Sequence, residues 1–279
     1  MKTLAVDIGG TKLGMALFDG DRIAQRHRQP TDRSGGPAWM IDQILRVAGA
    51  WPAAERCGVG FGGPVDFPEQ RVGRSFAVEG WAELPLAERL RERLRIPVAI
   101  DNDANLGALA ELRHGAGRDL SSLLYVTIST GIGAGVVLDR RVWRGSGSRA
   151  GELGHVTVRP EGPLCACGQH GCLERLCSGL WLEHDHHRPA SELLQDPSFV
   201  RHYVRDLAQG LKSAILLLDV AAVLIGGGIS QAGPALFVPL RAELERQLPP
   251  SLASQVAVLP AALGDDVVLY GAKALAQEL

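Results

Sequence analysis

The chain has no excess of charge of either sign. Its 29 basic and 31 acidic side chains give a formal net charge of −2 at pH 7. Recognition of nucleic acid or of an anionic membrane by bulk charge requires a basic surplus, so the composition excludes both modes of binding. Hydrophobic residues make up 46% of the 279 residues and charged residues 22%, which is ordinary for a soluble globular protein. This length accommodates one large domain or two of medium size.

Long hydrophobic runs are absent as well. The longest apolar stretch, SAILLLDVAAVLIGGG (213–228), is interrupted by Asp219 and by glycines, and it is too short to span a bilayer. The amino-terminal MKTLAVDIGG passes from Lys2 directly into a strand-like pattern, without the apolar region of a signal peptide. We therefore expect a cytoplasmic protein, in which thiols stay reduced.

Cysteine is scarce and unevenly distributed. Three of the five cysteines lie in the run CACGQHGCLE (165–174). A reducing compartment argues against a disulfide, and a thiol redox centre would need the CxxC spacing, which the sequence lacks. A metal site and a loop that is merely rich in cysteine are both consistent with the run itself.

Strand-like and helical patterns alternate along the chain, which is typical of an α/β fold. One strand–turn–strand pattern occurs twice: LAVDIGGTKLGMALFD (4–19) aligns with LYVTISTGIGAGVVLD (124–139) at a spacing of 120 residues. Each copy runs from an alternating strand through a turn of small residues into a second strand. The sequence therefore predicts one β-hairpin, used at the start of each half of the chain.

Other elements follow from local patterns. RIPVAIDNDANLGALAEL (95–112) predicts a strand, a polar junction and a helix from about Ala104, with Asn102 or Asp103 at the N-cap position. Residues 198–219 predict a long helix, and AAVLIGGG (221–228) predicts a buried strand that ends in glycines. We expect two α/β domains, 1–115 and 116–264, with a terminal helix of about 265–279 returning to the first.

The two hairpin turns carry the residue types of a phosphate site. Glycines let backbone N–H groups approach a phosphate, a threonine hydroxyl and a lysine add donors, and an aspartate at a strand end can hold Mg²⁺ through water. No GxxxxGK[ST] motif occurs, and a plain β-turn is the competing interpretation. Two such turns, with a glycine-rich strand end for the nucleoside, favour nucleotide binding. The candidates are Asp7, Gly9, Gly10, Thr11, Lys12, Thr130, Gly131, Gly226, Gly227 and Gly228.

The order of the motifs resembles one known family. DIGGTK (7–12), IDNDAN (100–105), STGIGAG (129–135), GELGH (151–155) and CACGQHGCLE (165–174) follow each other as in the ROK family of bacterial sugar kinases, over nearly the whole chain. Each motif alone is weak, and the ordered set is specific. The resemblance implies the actin-like ATPase fold, with two ribonuclease-H-like domains and with ATP and sugar in the cleft between them.

The resemblance also bears on the cysteine run. With the preceding histidine it reads H-x9-C-x-C-x4-C, and thiolates and imidazole are the ligands of closed tetrahedral zinc sites. Family members carry zinc at the matching residues, so we expect a structural Zn²⁺. Cys57 and Cys177 are expected to be ordinary buried cysteines. The expected ligands are His155, Cys165, Cys167 and Cys172.

Family members implicate further residues in sugar binding and catalysis. Asp103 matches the general base that takes a proton from the sugar hydroxyl, with capping of the following helix as the competing role. The glycine-rich GFGGPVD (60–66) resembles the loop that runs along the sugar. Solvated surface charge is the alternative for the two glutamates near the cysteines. The expected sugar-binding residues are Gly63, Asn102, Asp103, Glu152, His155 and Glu174.

Two segments depart from the family pattern. Many members read P-N-L-x-G-W where this chain reads SFAVEGW (75–81), with Ala77 in the place of the asparagine. The segment between Leu182 and Phe199 is short, and for the histidines of its EHDHH (183–187) we favour exposed loop polarity over a second metal site. Both departures affect the choice of sugar.

The resemblance implies an ATP-dependent hexose kinase acting on the C6 hydroxyl, with Mg²⁺ at the phosphates and glucose as the first candidate. Fructose, mannose and the N-acetylhexosamines (N-acetylmannosamine and N-acetylglucosamine) are open alternatives, and polyphosphate is an open alternative donor. A non-catalytic sugar sensor is the alternative of another class. We do not expect the repressor branch, because DIGGTK begins at residue 7 and leaves no room for a winged helix-turn-helix before it. The resemblance also implies a homodimer.

Overall fold

The structure is a computed structural model, and it describes residues 1–32, 34–73 and 80–279. The chain divides into two compact units, each assembled from separate segments of the sequence. The first unit holds residues 1–114, 144–150 and 265–279, and the second holds 115–143 and 151–264. Within the described ranges, no helix has the length and apolar character needed to cross a bilayer.

Both units combine strands with helices. In chain order, the strands are β1 (Lys2–Ile8), β2 (Lys12–Asp19), β3 (Arg22–Pro30), β4 (Arg56–Phe61), β5 (Val65–Asp66), β6 (Arg71–Val72), β7 (Val98–Asn102), β8 (Leu123–Ile128), β9 (Ile132–Leu138), β10 (Arg141–Trp143), β11 (Ala222–Gly226) and β12 (Ala257–Pro260). The helices are α1 (Gly36–Gly49), α2 (Leu86–Leu94), α3 (Asp103–His114), α4 (Leu173–Cys177), α5 (Gly179–His186), α6 (Ala190–Leu193), α7 (Pro197–Leu218), α8 (Pro234–Gln247), α9 (Pro250–Ala253) and α10 (Val267–Ala276).

The first unit is built on a five-stranded sheet of order β3-β2-β1-β4-β7. β1 and β2 form an antiparallel hairpin, and β1, β4 and β7 run parallel. Buried side chains of these strands form a core with the apolar face of α1, on which Met40, Ile44 and Val47 point inward. The three parallel strands end at the same edge of the sheet, where candidate residues of DIGGTK, GFGGPVD and IDNDAN lie.

The second unit repeats this plan. Its five-stranded sheet has the order β10-β9-β8-β11-β12, with an antiparallel β8–β9 hairpin and parallel β8, β11 and β12. The hairpin predicted for each half is therefore confirmed, and the strand order of the two sheets is the same. The turns differ in length, because Ile8 pairs with Leu13 whereas Ile128 pairs with Ile132, so the second turn is one residue shorter.

The longest helix, α7, shows how local sequence sets its ends. Asp196 precedes the helix and its side chain accepts a hydrogen bond from the Ser198 N–H, while Pro197 occupies the first helical position. Asp219, which interrupts the apolar stretch, takes the left-handed conformation (φ +48°) that ends the helix. The run that first looked like one hydrophobic segment is thus a helix end, a turn and the buried strand β11.

Candidate functional site

The junction between β7 and α3 is organised by Asn102. Its side-chain oxygen accepts hydrogen bonds from the N–H groups of Ala104 (2.9 Å) and Asn105 (3.2 Å), so Asn102 is the N-cap of α3. Its amide nitrogen donates to the Gly63 carbonyl oxygen at 3.1 Å. One side chain therefore starts the helix and fixes the glycine-rich loop 60–66 beside it.

Asp103 is the first residue of α3, and its side chain is half-buried. One carboxylate oxygen accepts from the Ala104 N–H at 2.8 Å, and the other lies 3.6 Å from the position that a Cβ on Gly62 would take. Burial raises the pKa of Asp103 to about 6, against the hydrogen bond from Ala104, and the charge of Asp101 adds to the rise. A carboxylate with this pKa can accept a proton near neutral pH.

Asp7 is a second perturbed carboxyl group in the same unit. It lies near the end of β1 and is buried. Burial and the charge of Asp103 raise the pKa of Asp7 to about 7, while Lys12 and Arg28 act in the opposite direction. Two carboxylates that disfavour each other's ionisation are suited to a divalent cation, which would relieve their repulsion, and carboxylate oxygen is a ligand that Mg²⁺ prefers.

The first hairpin turn is held in shape from outside. The Gly9 N–H donates to the Lys12 carbonyl oxygen at 2.9 Å, which closes the turn. Thr31 then clamps it, because its hydroxyl donates to the Gly9 carbonyl oxygen (2.8 Å) and its N–H donates to the Thr11 carbonyl oxygen (3.1 Å). The side chain of Thr11 is exposed at this turn.

The second hairpin turn is held by a glutamate. Glu174, in the first turn of α4, accepts a hydrogen bond from the Ile132 N–H at 2.9 Å, and its carboxylate lies 2.7 Å from where a Cβ on Gly131 would sit. The start of α5 adds a contact, because the Gly179 N–H donates to the Ser129 carbonyl oxygen at 2.7 Å. The glutamate expected at the sugar therefore also fixes the turn that holds Thr130 and Gly131.

The four expected zinc ligands converge. One ligand atom from each of His155, Cys165, Cys167 and Cys172 lies within 4.8 Å of all the others. The Cys167 and Cys172 sulfurs are 3.6 Å apart, and two thiolates on a tetrahedral zinc with bonds of about 2.3 Å lie about 3.8 Å apart. The donor set and its spacing fit zinc, and no other such group occurs among the described residues.

The backbone of this knuckle (residues 155–172) restricts the residue most strongly at Gly171. Gly171 has φ +63°, and a Cβ there would lie 1.5 Å from the Arg159 carbonyl oxygen. Short bridges, Thr157 with Cys172 and Leu164 with His170, close the knuckle into a small antiparallel loop. Cys57 and Cys177 lie elsewhere and are fully buried, as predicted.

Gly228, just after β11, borders a cavity of about 580 Å³ in the second unit. Gly227 has φ +82°, and a Cβ there would lie 2.4 Å from the Ile128 carbonyl oxygen, so this position is restricted to glycine. Gly226 packs against the Tyr125 hydroxyl, and of the three glycines Gly228 lines the cavity. Other lining residues are Ser129, Gly179, Leu194, Gln195 and Ile229.

Comparison with known proteins decides the family. The model of the ROK family matches residues 3–279. The chain belongs to the ROK family. A glucokinase of Halalkalibacterium halodurans is 32% identical over 96% of this chain and 92% of the relative, and an N-acetylmannosamine kinase of Citrobacter koseri is 32% identical over 99% of each. A solved ROK glucokinase from Streptomyces griseus, in complex with glucose and AMPPNP, is 28% identical and superimposes with a TM-score of 0.88 over 100% of both chains.

Membership of the ROK family confirms the expected fold class. ROK sugar kinases have the actin-like ATPase fold, and both sheets of this chain have the strand order and directions of a ribonuclease-H-like domain. The first unit brings together Asp7, Gly63, Asn102 and Asp103 at one edge of its sheet. The second unit brings together the second turn, the knuckle and the Gly228 cavity.

The structure describes only part of the two segments that depart from the ROK pattern, SFAVEGW (75–81) and the segment between Leu182 and Phe199. Residues 75–79 of SFAVEGW, including Ala77, lie outside the described residues. The indole of Trp81 is buried against Phe61, with ring centroids 4.9 Å apart. The histidines of EHDHH are exposed, as predicted, but the loop assignment was wrong, since residues 179–186 form α5.

Two ion pairs support the knuckle, and no pattern in the sequence predicted either of them. Arg175 donates to both carboxylate oxygens of Asp185 (2.6 and 3.1 Å) and to the Leu164 carbonyl oxygen (3.2 Å), next to a zinc ligand. Arg159 donates to both oxygens of Asp206 on α7 (2.7 and 2.5 Å). The partners are 10 residues apart in the first pair and 47 in the second, so only the folded chain reveals the pairing.

Proposed function

We propose that the protein transfers the γ-phosphoryl group of ATP to the C6 hydroxyl of a hexose, with glucose as the first candidate. The observation that carries the proposal is Asp103, a carboxylate of raised pKa at the start of α3, in a chain of the ROK family. Asn102 performs the capping that was the competing role, so the carboxylate of Asp103 is not needed to start the helix.

The nucleotide is assigned to two places. The backbone N–H groups of the two hairpin turns, with Thr11 and Thr130, are suited to bind phosphate oxygens. The cavity beside Gly228 is assigned to the nucleoside, because it is large enough for a base and ribose and it adjoins Ser129 of the second turn. Mg²⁺, when bound near Asp7, supplies charge neutralisation at the transferring phosphoryl group.

The sugar is assigned to residues beside the knuckle and at the β7–α3 junction. His155, Cys165, Cys167 and Cys172 would hold a structural zinc, which orders the exposed Glu152 and His155. Imidazole has two nitrogens, so His155 can bind zinc through one and a sugar hydroxyl through the other. Carboxylates accept hydrogen bonds from two hydroxyls at once, which suits Glu152 and Glu174 to a hexose.

The residues of the first unit then perform the proton transfer. Asn102 orients the sugar, and the ionised Asp103 accepts the proton of the C6 hydroxyl as its oxygen attacks phosphorus. Because the transition state is loose, most of the rate enhancement arises from positioning and charge stabilisation rather than from the base alone. The products are ADP and the hexose 6-phosphate.

N-acetylmannosamine is the second candidate substrate. The Citrobacter koseri relative with this activity in its name is as similar to the chain as the glucokinase, at 32% identity. Steady-state ADP release with ATP and a panel of glucose, fructose, mannose, N-acetylglucosamine and N-acetylmannosamine tests the proposal. We expect kcat/KM for one hexose to exceed the others by at least about tenfold. Binding of a hexose without turnover on any of them would favour a sugar sensor.

The same residues bear on the cellular compartment in which the protein works and on its phosphoryl donor. We propose that the protein works in the cytoplasm, because the four zinc ligands require reduced thiols. ATP is the preferred donor because the cavity beside Gly228 has the size of a nucleoside site, which polyphosphate would leave unused. Replacing ATP by polyphosphate in the same assay tests the donor.

A further inference from the structure

Residues 144–150 form a strap whose place in the chain is unusual. They belong to the first unit, whereas the residues directly before and after them, including Glu152, belong to the second. The strap closes on itself through a hydrogen bond from the Ala150 N–H to the Arg144 carbonyl oxygen at 3.0 Å. The chain thus leaves β10, passes through the first unit as the strap, and re-enters the second unit at Gly151 before it reaches the knuckle.

The strap begins with Arg144, which forms an ion pair with Asp101. This carboxylate is 1% exposed, and Arg144 donates to one of its oxygens through Nε (2.8 Å) and a terminal nitrogen (2.7 Å). Its other oxygen accepts from the Asn102 N–H (2.8 Å) and from the Asn105 side chain (3.0 Å). A buried carboxylate is tolerated only when it is paired and hydrogen-bonded, and Asp101 meets both conditions.

Arg144 is itself fixed from a second side. Its guanidinium lies over the ring of Phe67 at 3.6 Å from the centroid, and the Phe67 N–H donates to the hydroxyl of Ser148 in the strap at 3.1 Å. A planar guanidinium combines a stacking face with directed donors, a pairing that lysine cannot reproduce. The stack and the ion pair together leave Arg144 little freedom to move.

These contacts run without a gap to the proposed base. Arg144 holds Asp101, Asp101 binds the backbone of Asn102, and Asn102 caps the helix that begins with Asp103. We propose that Asp101 and Arg144 are positioning residues for the phosphoryl transfer, holding Asn102 and Asp103 in their reactive geometry. This rests on the proposed function of Asp103. It goes beyond that function in assigning a catalytic contribution to the strap.

The test compares Arg144→Met with Arg144→Lys. Met keeps an apolar stem against Phe67 but removes the charge and both donors, so we expect kcat to fall about 10²-fold while KM for hexose and ATP stays within about threefold. Lys restores the charge without the planar donors and should recover part of kcat. The matched control is Arg246→Met, which breaks an exposed ion pair with Glu243 on α8 and should leave kcat unchanged.

A double variant separates positioning from general destabilisation. Because the two residues act as one pair, Asp101→Asn/Arg144→Met should be no slower than Arg144→Met alone, whereas independent effects would multiply. If Arg144→Met fails to fold, Asp101→Asn replaces it, since the amide keeps the shape and an acceptor for Arg144. Wild-type kcat in the folded variant, a raised hexose KM with unchanged kcat, or multiplying losses would each overturn the proposal.

Hydrogen exchange supplies a readout that needs no substrate. The amides of Ala104 and Asn105, which donate to Asn102, should exchange faster in Arg144→Met than in the wild type and in Arg246→Met. Unchanged protection would also overturn the positioning role. A wild-type protein that phosphorylates no hexose would overturn the proposed function, and the exchange measurement would still decide whether the pair holds the junction.

Discussion

At the scale of single residues, the β7–α3 junction separates two roles that the sequence left combined. Asn and Asp are both favoured N-caps, so IDNDAN alone does not say which of its polar residues starts the helix. In the structure the side-chain oxygen of Asn102 accepts hydrogen bonds from the N–H groups of Ala104 and Asn105. Asp103 follows Asn102 as the first residue of the helix. The variant that removes the base can therefore leave the cap intact.

Asp103→Asn is expected to lower kcat by at least about 10²-fold, because a positioned general base contributes about 10²–10⁴-fold. Asn is close in shape to Asp and keeps an acceptor for the Ala104 N–H, so the melting temperature should change little. Single-turnover kinetics with calorimetric sugar binding is the measurement. Near-wild-type turnover with normal sugar affinity would contradict the assignment of Asp103 as the base.

The pH dependence of activity follows from the same carboxylates. The base must be ionised, and burial raises the pKa of Asp103 to about 6 and that of Asp7 to about 7. We expect kcat/KM to fall as pH decreases through this range, with apparent pKa values that belong to the pair, since Asp101, Lys12 and Arg28 also act on it. A pH–rate profile flat down to pH 5 would be inconsistent with this.

The same shift makes stability depend on pH. The folded pKa of Asp103 lies above the ordinary value of 3.8, so the folded state holds this proton longer than the unfolded state does. Its contribution to stability is therefore complete below about pH 4 and is lost as pH rises through about 6. Thermal melts without added Mg²⁺, on protein that keeps its zinc, should show a smaller loss between pH 5 and pH 8 in Asp103→Asn than in the wild type.

At the scale of elements, the knuckle is a short loop without a core of its own. Its four donors are brought together by turns that need Gly171 and by two arginine–aspartate pairs. We expect a loop of this kind to depend on its metal, because the four ligands do not converge in the unfolded chain and metal binding then contributes to the folding free energy.

Purified protein is expected to contain about one zinc per chain, as for a closed four-ligand site, and Cys167→Ser is expected to lose it. Since the knuckle orders Glu152 and His155, hexose affinity should fall before nucleotide affinity does. Elemental analysis and calorimetry with each ligand measure the two effects. His186→Gln, which removes an exposed histidine outside the ligand group, is the control and should retain zinc. Zinc-free protein after purification without chelators would contradict the assignment of a zinc site to the knuckle.

The turn after β11 offers a matched pair of glycine variants. In Gly227→Ala, the positive φ and the contact at 2.4 Å with the Ile128 carbonyl oxygen should destabilise the fold by at least about 1–2 kcal/mol. In Gly228→Ala, the added methyl group meets no atom within 4 Å, so the fold should keep its stability. If the cavity holds the nucleoside, Gly228→Ala should still raise KM for ATP. Unchanged ATP affinity in both variants would place the nucleotide elsewhere.

At the scale of the whole molecule, the sequence predicts those features that depend on the spacing of residue types within a short segment. The hairpins follow from alternation around small-residue turns, and the knuckle follows from H-x9-C-x-C-x4-C. The junction at Asn102 follows from a strand that ends in cap residues. The family resemblance added the fold expected of each domain.

The remaining features depend on contacts between distant segments. Thr31 clamps a turn that precedes it by twenty or more residues, and Arg144 pairs with Asp101 over a separation of 43 residues. A threonine or an arginine in a polar stretch carries no local mark of such a partner. The bounds expected for the two domains and the homodimer stay predictions, the latter testable by light scattering.

The first unit is assembled from early and late parts of the chain. α10 packs against β1, β4 and α3, and a Cβ added at Gly58 would lie 1.8 Å from the Ala272 carbonyl oxygen, so the helix seats directly on the sheet. A ribosome making this protein therefore finishes every segment of the second unit before it delivers α10. The amino-terminal unit, which in most chains could be completed first during synthesis, is here the last to receive all of its segments. The nascent amino-terminal sheet therefore lacks the part of its cover that α10 supplies until residues 267–276 emerge.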